Sequence, residues 1–167
     1  VIVMARRVQS PSSINTYKQC PRKYYYTYIK KLKTLPSIHL IRGSIVHSVL
    51  EDFFKVDVDK LPKENYEILL KGLLRDFLRQ KWEKSGDEMG QLDLTEAERI
   101  FYYEETDKML INWFNGFIKK LSMEKLSFTE AFKRWTPRRE EEYRSEEFEV
   151  RGFIDAIHEL DDMTLLL

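Results

Sequence analysis

Cysteine is almost absent: Cys20 is the single one in 167 residues. One thiol cannot form an internal disulfide, and such sparing use fits a reducing compartment, so a cytoplasmic setting is expected. No apolar run approaches the roughly 20 residues that a membrane-spanning helix needs, and no membrane partner is expected. The opening Val1-Ile2-Val3-Met4 is too short for a secretory signal and runs directly into Arg6-Arg7, which leaves Met4 as a candidate start. Internal repeats and low-complexity tracts are also missing. The most informative absence is acidic: residues 1–50 contain no Asp or Glu.

What is present balances only in sum. The net charge is zero, with 28 basic and 28 acidic residues. Nine cations (Arg6, Arg7, Lys18, Arg22, Lys23, Lys30, Lys31, Lys33 and Arg42) fall in residues 1–50, so the remainder is acidic by the same amount. A basic segment interleaved with Tyr17, Tyr24, Tyr25, Tyr26 and Tyr28 suits a polyanion. It equally suits helices with solvated cationic faces that dock on an acidic remainder. The 43% hydrophobic content supports one sizeable core, so a single domain over 1–167 is expected. Its parts are N-terminal helices at 1–56, a helical insertion at 57–125 and core strands at 126–167.

In chain order, Ser12 or Ser13 caps a short helix to about Gln19, and Pro21 opens a second through Tyr24, Tyr25, Tyr28 and Ile29. The tyrosines are expected to pack as core with wet hydroxyls. Arg42-Gly43-Ser44 is expected to open the next helix, with Ile45, Val46, Val49, Leu50, Phe53 and Phe54 as its apolar stripe. His47 would then project from its first or second turn, with Glu51 one turn on. Residues 57–62 read as a linker and 66–84 as an amphipathic helix. Thr95 and Glu98 form a capping box that opens a long helix, whose buried face includes Ile100, Tyr103, Leu110, Trp113, Phe114, Phe117, Ile118 and Leu121.

From Leu126 the pattern reads as strands: 127–135 with Glu130, then 141–143 after a turn at Pro137 and the charged run 138–142, then 148–156. Alternation through Val150, Gly152, Ile154 and Ala156 gives that last strand one buried face and puts Asp155 on the other. A carboxylate there is solvated, salt-bridged or held by a metal. Asp161-Asp162 makes a turn into an apolar strand from Met163. Helices followed by consecutive strands argue an α/β (α+β) fold with a mainly antiparallel sheet flanked by helices.

Four segments stand in order: SPSSINTYKQCPRKYYYTYI at 10–29, RGSIVHSVLE at 42–51, SFTEAFKRW at 127–135 and VRGFIDAI at 150–157. Together they resemble the RecB-like branch of the PD-(D/E)XK nuclease superfamily, which includes CRISPR-associated adaptation nucleases and the nuclease domains of helicase–nucleases. The resemblance implies a restriction-endonuclease-like core with a helical insertion. It also implies a metal-dependent DNA nuclease acting on single strands or ends in repair or recombination, with a helicase or other repair proteins as partners. On this likeness Asp155 is the central ligand of Mg²⁺ or Mn²⁺ and His47 a second ligand or site organiser. Glu130 is a weaker metal candidate, and Arg22, Lys23 and Arg42 are candidate phosphate contacts.

Two departures qualify the likeness. The family's acidic-x-Lys pair belongs on the strand that begins at Met163, and Leu167 falls inside that strand, so the pair is expected beyond Leu167. Iron–sulfur members hold a cluster with a Cys at the position of Cys20 and three more near the C-terminus. Ligation takes four such groups and this chain offers one, so the resemblance leaves Cys20 a candidate ligand of an iron–sulfur cluster in the full-length protein only. The competing reading is a catalytically inactive nucleic-acid-binding or structural module on the same fold, and a helical protein-interaction domain ranks third.

Overall fold

The structure, a computed structural model, describes residues 7–33, 36–62, 64–160 and 163–166. The chain divides into two compact units: Val1–Leu35 with Pro137–Leu167, and Pro36–Thr136. The first is a sheet unit and the second a helical unit. The fold is mixed and helix-rich with an antiparallel sheet, as the sequence implied.

In the sheet unit, α1 (Pro11–Gln19) starts with Pro11 at its first position, where a missing N–H costs nothing. Ser10, rather than Ser12 or Ser13, is its cap. The Ser10 hydroxyl accepts the Ser13 N–H at 3.2 Å and the Ser13 hydroxyl accepts the Ser10 N–H at 2.9 Å. Pro21 opens the single turn α2 (Pro21–Tyr24), which widens into a π-helical turn over Tyr25–Ile29. Strands β1 (Arg138–Ser145), β2 (Val150–Leu160) and β3 (Met163–Leu166) form one antiparallel sheet in the order β1-β2-β3. The charged run expected as a turn is instead strand β1. The turn expected at Asp161-Asp162 lies outside the described residues.

Gln9 fastens the N-terminal segment to this sheet. Its N–H donates to the Glu149 carbonyl and its carbonyl accepts the Arg151 N–H, both at 2.8 Å. Its side-chain carbonyl accepts the hydroxyls of Ser13 at 2.9 Å and Tyr24 at 3.0 Å. The clip lays Pro11 against Gly152: a Cβ built there would sit 3.4 Å from Pro11 Cγ, so anything larger than Ala at 152 displaces α1.

The helical unit comprises α3 (Ile38–Phe53), α4 (Tyr66–Lys84), α5 (Gly86–Gly90), α6 (Glu96–Met123) and α7 (Phe128–Trp135). Two expectations fail here. The helix holding His47 begins at Ile38, not at Arg42, because Ile38 and Ile41 are buried and extend the apolar stripe by a turn. Residues 127–135 hold no strand. The Ser127 hydroxyl and Glu130 carboxylate form a capping box, and Phe128, Ala131, Phe132 and Trp135 recur at helical spacing. Ile100, expected inside, is exposed, while Thr106 takes a fully buried place on α6.

The core of this unit is built around Phe53, which is fully buried. Its ring meets Trp113, Phe114 and Phe117 edge-on, at centroid distances of 5.4, 6.0 and 5.9 Å, and Phe132 at 5.7 Å. Val49, Leu70, Leu74, Leu78 and Leu110 close the space around it. Polar ties join the helices outside this core. Asp52 on α3 pairs with Lys81 on α4 at 2.6 Å, and Arg75 on α4 grips Asp107 on α6 through two bonds of 2.9 Å.

Candidate functional site

Asp155 lies in the middle of β2, and the strand's two faces differ. Val150, Gly152, Ile154, Ala156 and His158 are half-buried, whereas on the other face Arg151, Phe153, Asp155 and Glu159 are exposed and Ile157 alone is buried. A spacing of three on a strand puts Gly152 and Asp155 on opposite faces. The glycine admits α1 at Pro11, and the carboxylate is held on the open side. The Gly-x-x-Asp segment is thus a helix-docking position followed by an outward acid.

Asp155 has no hydrogen bond or ion pair among the described residues. Phe153, two residues before it on the same face, is 62% exposed. Other charges of the sheet are engaged. Arg138 pairs with Glu159 and binds Glu141 at 2.6 Å, and that guanidinium holds the Glu141 carboxyl below its usual range. Arg151 stands opposite Arg144, a repulsive register relieved by Glu142 at 3.9 Å from Arg151 and Glu146 at 2.9 Å from Arg144.

The basic candidates of the sheet unit share α2. Arg22 and Lys23 are exposed, and neither has a carboxylate partner among the described residues. Cys20 precedes them as the helix cap, its sulfur accepting the Lys23 N–H at 3.4 Å. The tyrosines depart from the core expectation. Tyr24 and Tyr28 are half-buried, with Arg7 4.6 Å above the Tyr28 ring, but Tyr17, Tyr25 and Tyr26 are exposed. The hydroxyls of Ser12 and then Thr16 hold the Tyr28 hydroxyl below its ordinary pKa. Three successive tyrosines on a helix point about 100° apart, so Tyr24-Tyr25-Tyr26 could not all have faced inward.

In the helical unit His47 is exposed on α3 and has no hydrogen bond or ion pair among the described residues. Arg42, five residues earlier, turns the other way. Its Nε donates to the Thr106 hydroxyl at 2.9 Å, that hydroxyl donates to the Tyr102 carbonyl at 2.6 Å, and the guanidinium lies 5.3 Å from the Tyr102 ring. This is an internal tie between α3 and α6. Glu130 is exposed, and its carboxylate takes the Ser127 hydroxyl at 2.6 Å and N–H at 3.0 Å, which lowers its pKa. The strand placement that made it a metal candidate is replaced by a helix cap.

Asp155 suits a hard divalent cation as one ligand: a carboxylate oxygen donor, solvent-facing, with no cation paired to it among the described residues. Among the described residues no three His, Cys, Asp or Glu side chains gather into a complete donor set. No helix among the described residues is long and apolar enough to cross a membrane.

Comparison with protein families matches residues 9–166 to the PD-(D/E)XK nuclease superfamily. Neither a curated protein nor a solved structure matches the chain.

Proposed function

The chain belongs to the PD-(D/E)XK nuclease superfamily, and from that premise we propose that it is a Mg²⁺- or Mn²⁺-dependent nuclease of the RecB-like branch. Its substrate is DNA, as single strands or ends, and its setting is cytoplasmic repair or recombination alongside a helicase. The observation that carries this reading is the placement of Asp155: exposed in mid-strand, with no partner among the described residues, three residues after the glycine on which α1 docks. Asp155 is the central metal ligand, and His47 is the second ligand or organiser. A bound divalent ion supplies phosphate charge neutralisation and an activated water. The protein's own part is to hold an anionic oxygen at a fixed point on a rigid strand.

The experiment is cleavage of single- and double-stranded DNA by the full-length protein, with Mg²⁺, with Mn²⁺ and with chelator. Metal-dependent cleavage that falls at least about a hundredfold in Asp155→Ala supports the proposal. Cleavage indifferent to Asp155 refutes the assignment. Metal-independent DNA binding without cleavage would instead identify a binding module on the same fold.

A further inference from the structure

The tyrosines exposed after α2 form a feature that metal chemistry does not use. Tyr25 and Tyr26 are 43% and 41% exposed, and their centroids lie 5.5 Å apart with the rings 69° from parallel. Arg22 stands 5.8 Å from the Tyr26 centroid and Lys30 5.7 Å from that of Tyr25. The contacts run cation, ring, ring, cation across one continuous patch. Around it, Lys18, Lys23, Lys31 and Lys33 are also exposed, and residues 7–33 contain no acid. None of these cations has a carboxylate partner among the described residues.

We propose that this patch binds single-stranded nucleic acid, with Tyr25 and Tyr26 each stacking an unpaired base while Arg22, Lys30 and their neighbours meet phosphates. The inference rests on the nuclease reading only for its consequence, that the enzyme takes its substrate as unpaired strand. Exposed aromatic rings offer stacking faces to any base, and unpaired cations supply sequence-independent attraction for the backbone. The two rings are too steeply inclined to continue one base stack, so each takes a splayed base. A duplex keeps its bases inside and can engage only the cations. The ring hydroxyls and the density of unpaired charge favour a polyanion with aromatic bases over an apolar partner.

The test is fluorescence anisotropy of the full-length protein in EDTA, which separates binding from cleavage. The probes are labelled dT20, rU20, a 20-mer of abasic sites and a 20-base-pair duplex. The expected result is that dT20 or rU20 binds at least about tenfold tighter than the abasic strand of equal charge. Tyr25→Leu/Tyr26→Leu abolishes that advantage and Tyr25→Phe/Tyr26→Phe keeps it, with thermal midpoints unchanged because both rings are exposed. Arg22→Gln/Lys30→Gln weakens all the probes and flattens the salt dependence. Equal binding of dT20 and the abasic strand, tighter binding of the duplex, or discrimination that survives the double Leu change overturns the proposal. So does displacement of dT20 by phosphatidylglycerol vesicles that bind the wild type more tightly. Mn²⁺-dependent hydrolysis of bis(p-nitrophenyl) phosphate, which has no base to stack, reports separately on the metal site. Base-dependent binding without that hydrolysis would sink the nuclease reading and uphold this one.

Discussion

The two units differ in where their principal aromatic residues and some of their charges stand. In the helical unit Phe53, Phe114 and Phe132 are fully buried, and some of its charges tie one helix to another, as in Lys81–Asp52 and Arg75–Asp107. In the sheet unit Tyr25, Tyr26 and Phe153 stand in solvent, and Arg22, Lys23, Lys30 and Asp155 have no ion-pair partner among the described residues. Satisfied groups stabilise, while unsatisfied ones are available to a ligand. On this contrast the helical unit is built chiefly for stability, while the sheet unit holds exposed groups that the proposed function and the proposed binding patch would use.

The largest test of that contrast pairs two phenylalanines. Phe53→Ala removes the ring at the centre of the helical core and should cost about 3–5 kcal/mol in denaturant unfolding. Phe153→Ala should stay within about 0.5 kcal/mol, because its ring is mostly in water. Similar costs at both positions would break the comparison.

Next in size is the buried hydroxyl of the helical unit. Thr106→Val keeps the shape but leaves the Arg42 Nε without its acceptor, at a cost of about 1–3 kcal/mol. Adding Arg42→Met should restore part of that loss, since the orphaned donor goes with it. Thr95→Ala and Ser127→Ala, which remove the caps of α6 and α7, should each cost about 1 kcal/mol.

The smallest expected effect is on pH dependence. Lys81 holds the Asp52 carboxyl below its ordinary value, and Thr95 and Ser127 do the same for Glu98 and Glu130. A carboxylate depressed in the folded state binds fewer protons there than in the unfolded chain. Its contribution is present above the unfolded pKa and is lost as pH falls through the folded one. Midpoints for the helical unit should fall as pH drops below about 4. Asp52→Asn should flatten that fall, as followed by circular dichroism from pH 6 to 2.

Much of this was legible in the sequence where a local rule and the tertiary need agreed. The Thr95 and Glu98 capping box, the Tyr66–Lys84 helix and the β2 alternation around Asp155 each carry their own signal. Residues 127–135 were misread because the strands that follow suggested alternation, although Ser127-x-x-Glu130 repeats the form of Thr95-x-x-Glu98. The role of Arg42 was hidden because its partner, Thr106, lies 64 residues away on another helix. Gln9 was also invisible: an isolated two-sided backbone clip has no periodicity to betray it. The tyrosines, expected as core, stand partly outside it, although three in succession on a helix require at least one to face outward.

The proposed role of Asp155 is chemical and not structural. Asp155→Asn preserves size and shape while removing the charge, so its unfolding midpoint and its Mn²⁺-dependent DNA cleavage should be measured side by side on the full-length protein. The account predicts an unchanged midpoint and cleavage reduced at least about a hundredfold. Cleavage at the wild-type rate, or a midpoint that collapses along with it, would contradict the account.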